Sequence, residues 1–218
     1  MRTRFAAIAA VLLMMTSAFA ADNNALKPPA GSKVAIVVFE DLECPSCGSA
    51  EPMLKAAEKS EGVPLVRHDF PIPQHRWSAD AHIFARYFDT VSPAVGEEYR
   101  HWIFLNQRSI NKSNLRDKTN QFAAEHKTAL PLFVDPSGQL KAKVTADFNL
   151  GQQLGVSQTP TIYVVGDVKN SPSSIPVTDV NQLVSTIDQM KQQVAAEAPA
   201  KSVKAPTRQG TTKHHKAK

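Results

Sequence analysis

Cysteine is scarce in this chain of 218 residues, which contains only Cys44 and Cys47. A framework of several disulfides, as in small secreted domains, is therefore excluded. A zinc site built from two Cys-x-x-Cys pairs is excluded for the same reason. After residue 20 the sequence also lacks an apolar run of the ~20 residues that a membrane-spanning helix needs. We therefore expect no integral membrane span beyond that point.

The one long apolar stretch stands at the beginning of the chain, where two arginines precede an apolar run from Phe5 to Met15. The stretch ends on the letters AFA, a small-x-small pattern typical of signal-peptide cleavage. We therefore interpret residues 1–20 as a signal peptide that is cleaved after Ala20. The expected location is periplasmic or secreted.

Positive charge is concentrated at the two ends, although the whole chain carries a formal net charge of +5. Eight of the 25 Lys and Arg lie in residues 1–20 and 201–218, and the remaining 17 stand against 20 Asp and Glu, a net charge of −3. A mildly acidic body argues against a nucleic-acid partner. Residues 196–218 are basic, of low complexity and without aromatic side chains, which predicts a disordered tail.

The first half of the chain follows a strand, helix, strand pattern. Residues 21–32 form a polar, proline-containing lead-in, and residues 33–75 carry apolar strands at Val34–Phe39 and Leu65–Phe70 around a helix-prone segment. This spacing predicts a parallel βαβ unit, with the first strand central in its sheet.

The second half begins with a block of helices. Over residues 76–155 apolar side chains recur at helical spacing, and Gly155 is placed to end the last of these helices. Residues 156–195 return to a strand at Thr161–Val165, a short edge strand near residue 175, and an amphipathic helix from Asp179 to about Val194.

The CPSC sequence at residues 44–47 has three interpretations: a structural disulfide, part of a zinc site, or a redox pair. A structural disulfide across so short a loop would recover little chain entropy. A zinc ion would need further ligands, and the spacing of His68, His75 and His82 fits no familiar set. A redox pair fits best, because a cysteine between a strand and a helix start is favoured as a thiolate. Cys44 is then the reactive thiol, and Cys47 can resolve a mixed disulfide; we expect no metal.

The motifs VVFEDLECPSC and GVSQTPTIYVV, with the helical block between them, resemble the DsbA-like branch of the thioredoxin superfamily. The resemblance covers residues 33–194. It implies an α/β thioredoxin fold interrupted by an α-helical subdomain, with Cys44 as nucleophile and Cys47 as resolving thiol. It also implies that Pro160 is cis and faces the sulfurs, while Thr159 offers backbone hydrogen bonds to a substrate peptide.

The chain departs from this family pattern at two places. Ser46 stands where the strongest oxidants of the group carry a histidine, and Val38 stands where several relatives have a buried acid. A carboxylate near a thiolate opposes its ionisation. We expect the acidic residues that surround the motif to form a solvated loop face: Glu40, Asp41 and Glu43.

These observations together predict an exported thiol–disulfide oxidoreductase in which Pro45 and Ser46 complete the active-site motif. The Cys44–Cys47 disulfide carries the electrons, so no other cofactor is expected. The expected partners are reduced or unfolded proteins and a redox protein that recycles the disulfide, and we expect a monomer. The alternatives are a disulfide isomerase or reductase and a non-catalytic peptide-binding module.

Overall fold

The structure, a computed structural model, describes residues 26–168 and 174–197. The predicted signal peptide, residues 21–25 of the predicted lead-in and residues 198–218 of the predicted tail lie outside the described residues. Within them, the predicted order of strand, helix, strand, block of helices, two strands and helix is confirmed.

The apolar run of the first strand forms β1, Val34–Glu40, in which every residue is buried. The sheet order is β2-β1-β3-β4, so β1 has a neighbour on each side. Strand β2, Leu65–Asp69, pairs with it in parallel, and β3, Thr161–Gly166, pairs with it antiparallel. Strand β4, Ser174–Val177, lies antiparallel to β3 at the edge. The predictions of a central β1 and a parallel βαβ unit are therefore confirmed.

Six α-helices accompany this sheet in the described part of the chain. They are α1 Pro45–Glu61, α2 Ser78–Val91, α3 Pro93–Asn106, α4 Leu115–Glu125, α5 Gln139–Gln153 and α6 Leu183–Ala196. Short 3₁₀ helices follow α3 at Gln107–Ser109 and precede α6 at Val180–Gln182. Gly155, just beyond α5, has a φ of +76°, the left-handed conformation that glycine adopts without a Cβ penalty.

Helices cover both faces of the sheet, because alternate residues of β1 point to opposite sides. Ile36 and its neighbours on one face belong to an apolar cluster with side chains of α1 and α6. Val37 and Phe39 on the other face belong to a second cluster with side chains of α5. The result is an α/β thioredoxin-like fold, as predicted.

The helical block has an apolar cluster of its own, centred on buried aromatic side chains such as Phe88, Tyr99 and Phe122. Leu42, Cys44 and Cys47 belong to the same cluster. The loop with the cysteines therefore lies at the junction between the sheet and the inserted helices.

The last helix differs from its predicted bounds. Its first turn is the 3₁₀ segment Val180–Gln182, and α6 continues to Ala196, the first residue of the predicted tail. Lys191 on α6 donates to Glu61 Oε2 over 2.7 Å, which holds this end of the helix against α1. The helix thus ends two residues beyond Val194, where the apolar spacing predicts its end.

Gly151 allows α5 to approach the sheet, because a Cβ there would stand 2.6 Å from the ring of Phe70. In an exposed helix, Gly→Ala stabilises by ~1 kcal/mol. Here we expect Gly151→Ala to destabilise the protein by about 1–3 kcal/mol through overpacking. Urea unfolding measures the change, with Asn149→Ala on the exposed side of α5 as the control. A Gly151→Ala protein more stable than wild type would contradict this account of the packing.

Candidate active site

The cysteines lie where β1 gives way to α1. Cys44 is the N-cap of α1, with extended backbone angles of φ −75° and ψ 120°, and Pro45 takes the first helical position. Proline is favoured there because the N–H that it lacks has no partner within the helix. Cys44 retains 7% of its exposure and Cys47 only 2%, so attack from solution reaches Cys44 first.

The second predicted element of the site comes beside the first through the sheet. Phe39 near the end of β1 pairs with Thr161 at the start of β3, which places Thr159 and Pro160 next to the cysteine loop. The Thr159–Pro160 peptide bond is cis, and Cys44 Sγ lies 3.4 Å from the carbonyl oxygen of Thr159. The residues that the two motifs singled out therefore meet in one place.

The two sulfurs differ strongly in acidity. A hydrogen bond from the Cys47 thiol is the largest effect on Cys44, followed by the opposing effect of burial. The Thr159 side chain and the backbone N–H groups of Cys47 and Ser46 add to the first effect, and together they lower the pKa of Cys44 to about 5. Cys44 is therefore a thiolate at neutral pH.

Cys47 behaves in the opposite way. Burial raises the pKa of its thiol far above the ordinary value, and its hydrogen bond to Cys44 raises it further. The N–H of Asp41 reaches Cys47 Sγ over 3.4 Å and lowers the pKa, but burial prevails. The pair thus holds one proton, and Cys47 keeps it.

The expectation that the three acidic residues form a solvated loop face is wrong. Glu40 retains 2% of its exposure and Asp41 none, while Glu43 is half-buried. Each carboxylate has donors: Glu43 Oε2 accepts from the backbone N–H groups of Trp77 at 2.7 Å and Ser78 at 3.0 Å. Loss of hydration is thereby offset by hydrogen bonds that the local sequence does not reveal.

Asp41 anchors the loop from within. Its carboxylate accepts from the backbone N–H of Glu43 at 2.7 Å and of Ile72 at 2.5 Å, and it lies 2.8 Å from His75 Nδ1. Because the N–H of the same residue touches Cys47, this carboxylate fixes the position of the amide beside the buried sulfur.

Glu40 belongs to a buried ionic cluster around Arg67. Arg67 Nη1 lies 2.7 Å from Glu40, Nη2 lies 2.9 Å from Glu51, and Nε lies 3.1 Å from Glu97. One guanidinium cannot neutralise three carboxylates, and burial raises the pKa of Glu40 to about 7. The charge of Glu40 also raises the pKa of Cys47, so this carboxylate acts on the resolving thiol.

The histidines weighed as zinc ligands have separate partners. His68 Nδ1 lies 3.0 Å from Asp147, and His75 contacts Asp41. His82 is fully buried, with Nδ1 2.8 Å from Asp69 and Nε2 accepting from the N–H of Leu42 at 3.3 Å. In residues 26–168 and 174–197 no group of three or more His, Cys, Asp or Glu side chains could hold a metal ion.

Sequence reasoning missed two residues that contact or influence the site. Arg67 could have been noticed, because the charged run RHD interrupts an otherwise apolar strand. Gln107, whose side chain donates to the cysteine loop, has no local signal of that kind, since it follows a helix some sixty residues away in sequence.

A surface groove runs past the cysteines. It is lined by the exposed Pro45 and Ser46 on one side and by Gln158, Thr159 and Pro160 on the other. Its lining thus combines residues of both predicted motifs.

The family model described as thioredoxin matches residues 30–189. This match covers most of the chain and includes both the cysteine motif and the cis-proline. The chain belongs to the thioredoxin family.

The fold is similar to those of several solved structures. Wolbachia pipientis alpha-DsbA1 aligns with a TM-score of 0.64 at 16% identity, covering 80% of this chain and 97% of that one. Bacillus subtilis BdbD aligns with a TM-score of 0.60 at 16% identity, covering 78% and 91%. Proteus mirabilis ScsC aligns with a TM-score of 0.60 at 16% identity, covering 80% and 75%.

Curated relatives match over part of their length. The Na(+)/H(+) antiporter NhaA 3 of Salinispora tropica is 23% identical over 159 residues, 71% of this chain and 23% of that protein. The chain thus spans about a quarter of the length of the curated relatives it matches. None of its described helices is both long enough and apolar enough to cross a membrane.

The difference between the two thiols predicts selective chemistry. In reduced protein, iodoacetamide should modify Cys44 with a pH midpoint near its pKa of about 5. Cys47→Ala removes the thiol whose hydrogen bond stabilises the Cys44 thiolate most strongly. This change should raise the midpoint of Cys44 alkylation by about one pH unit or more. Cys47→Ser keeps a hydroxyl donor and should stay closer to wild type.

Mass mapping identifies the modified residue in each protein. Modification that falls first on Cys47, or an unchanged midpoint in Cys47→Ala, would show that the proposed hydrogen bond does not control Cys44.

Glu40 makes stability depend on pH. In the folded protein the pKa of Glu40 is about 7, above the ordinary value of 4.5. Its contribution to the free energy of unfolding is therefore fully present below pH 4.5 and is lost as the pH rises through 7. The free energy of unfolding of wild type should therefore fall by about 3 kcal/mol relative to that of Glu40→Gln over this pH window. Urea unfolding of both proteins at several pH values tests this, and a pH-independent difference would contradict the raised pKa.

Proposed function

We propose that this protein is an exported thiol–disulfide oxidoreductase that oxidises cysteine pairs of other envelope or secreted proteins. This proposal rests on the difference in acidity between the two thiols of the CPSC motif, where the pKa of Cys44 is lowered to about 5 and that of Cys47 is raised. A structural cysteine pair has no need of such a difference, whereas disulfide exchange depends on it.

The exchange proceeds in two balanced steps. A substrate thiolate attacks Cys44 Sγ in the Cys44–Cys47 disulfide, a new S–S bond forms, and the electron pair of the old bond leaves on Cys47, which takes up a proton. The second substrate thiolate then attacks the substrate sulfur of the mixed disulfide, and Cys44 leaves as a thiolate. The substrate loses two electrons and the CPSC motif gains them.

The direction of electron flow follows from the stability of the product. A thiol of low pKa is a good leaving group, and a thiolate held by hydrogen bonds stabilises the reduced protein. Cys44 receives those hydrogen bonds only when the disulfide is open. The disulfide is therefore oxidising, which suits an exported protein because oxidation of thiols is the prevailing need in that compartment.

Substrate binding is assigned to the groove beside the cysteines. Its lining by Pro45, Ser46, Thr159 and Pro160 supports the role in which backbone groups of Thr159 hydrogen-bond to an extended substrate. The substrates proposed are reduced or unfolded proteins, and a redox protein must reoxidise the motif after each cycle. The protein acts as a monomer, without a metal or an organic cofactor.

Export rests on the signal-peptide pattern of residues 1–20. Sequencing the N-terminus of protein recovered from the cell envelope or the medium is expected to find Ala21.

Refolding of a reduced substrate protein tests the catalytic function. Wild type in its disulfide form should restore substrate activity, whereas Cys44→Ser and Cys47→Ser, which cannot form the Cys44–Cys47 disulfide, should not. Equal recovery with Cys44→Ser would support a peptide-binding module instead. Recovery only when the substrate starts with scrambled disulfides would support an isomerase.

The reduction potential tests the direction. We expect a value of roughly −150 to −230 mV, between those of thioredoxin at about −270 mV and the strongest oxidant at about −120 mV. Ser46→His adds an imidazolium that stabilises the thiolate and should shift the potential in the oxidising direction. Equilibration with glutathione and thiol counting give the number, and a value below about −260 mV would indicate a reductant.

A further inference from the structure

One side chain of the inserted helices reaches two backbone carbonyl groups of the cysteine loop. Gln107, in the 3₁₀ helix after α3, donates from Nε2 to the carbonyl oxygen of Leu42 over 2.9 Å and to that of Cys44 over 3.0 Å. An amide nitrogen carries two hydrogens, so this contact uses both. The backbone on either side of Glu43 is thereby fastened to the insertion.

Gly48 in the first turn of α1 gives independent support for the importance of this contact. A Cβ on Gly48 would stand 2.7 Å from Gln107 Oε1 and 3.3 Å from its Cδ. The backbone of Gly48 is not in the left-handed region that favours glycine, and glycine is less favourable than alanine inside a helix. The space taken by Gln107 is the structural reason for a glycine at this position.

The carbonyl that Gln107 holds belongs to the reactive cysteine. Three groups that stabilise the Cys44 thiolate lie in the first turn of α1, namely the Cys47 thiol and the N–H groups of Ser46 and Cys47, while the Thr159 side chain acts from outside that helix. That turn is fixed to Cys44 by the N–H of Gly48, which donates to the Cys44 carbonyl over 3.2 Å. The alignment of the sulfur with its donors therefore depends on how the Cys44 carbonyl is held.

We propose that Gln107 is a positioning residue, which holds Cys44 in the orientation that brings its sulfur to its hydrogen-bond donors, and that Gly48 is kept free of a side chain to admit it. This inference rests on the proposed redox function. It assigns the helical insertion a part in tuning the disulfide equilibrium.

Loss of this contact should leave a folded protein. Gln107 lines a surface groove together with Trp77, Phe104 and Ile110, so water can reach the two carbonyl groups once the amide is gone. Water satisfies a carbonyl group without fixing its direction. The expected defect is therefore in redox equilibrium.

Gln107→Met tests the proposal, because methionine keeps the length of the side chain and removes both donors. The equilibrium constant for reduction of the Cys44–Cys47 disulfide by glutathione should fall about three- to tenfold, the size of one ordinary hydrogen bond. The alkylation rate of Cys44 at pH 6 should fall as well. Asn106→Ala is the matched control, since Asn106 donates only within α3, to the carbonyl of Trp102, and should stay within about twofold of wild type.

Gly48→Ala provides a second test from the other side of the contact. In wild type it should lower the glutathione equilibrium constant as Gln107→Met does, because the added methyl group displaces Gln107. In a Gln107→Ala background the methyl group meets open space, so it should cause no further fall and should raise the melting temperature. This coupling between the two positions is the signature of a shared contact.

Different failures have different meanings. If wild type equilibrates with glutathione and Gln107→Met has the same constant, the inference is overturned while the proposed function stands, even if the melting temperature drops. Independent effects of Gly48→Ala and Gln107→Ala overturn it as well. If wild type does not equilibrate with glutathione at all, the proposed function itself has failed.

Discussion

The hydrogen bond from the buried Cys47 thiol to Cys44 is the interaction on which this account depends. It stabilises a thiolate on one sulfur and keeps the proton on the other. In this interaction Cys47 is withdrawn from water almost completely, and Cys44 keeps a small exposed fraction. Both conditions follow from placing Cys44 at the N-cap and Cys47 in the first turn of a helix that packs on the sheet.

Polar groups keep the cysteine loop in this position. His82 accepts from the N–H of Leu42, Gln107 donates to the carbonyls of Leu42 and Cys44, and the carboxylate of Asp41 accepts from Ile72 and Glu43. The sheet side contributes Asp69, which fixes His82. The loop is thus held by both the sheet and the insertion.

The sequence predicted those features that depend on local pattern. The apolar run of β1, the helix start at Pro45 and the strand that follows Pro160 are signals within a few residues, and they located Cys44 and Cys47 at a strand–helix junction. The resemblance to the DsbA-like branch, and not a local pattern, added Thr159 and Pro160 to the same site.

The burial of the acidic residues depends on distant partners and was predicted wrongly. The N–H of Ile72, which donates to Asp41, is 31 residues from Asp41 in sequence, and Arg67 is 27 residues from Glu40. No local pattern shows that a carboxylate in a motif flank will find such donors. The Gln107 contact, 63 residues from Cys44, was missed for the same reason.

Site-resolved titration of the two thiols tests the central claim most directly. In reduced protein labelled with ¹³C at the cysteine β-carbons, the shift of each residue reports its own ionisation. The account predicts a midpoint near pH 5 for Cys44 and no ionisation of Cys47 below the ordinary cysteine pKa of about 8.5. Ionisation of both residues together near pH 8.5, or of Cys47 before Cys44, would contradict it.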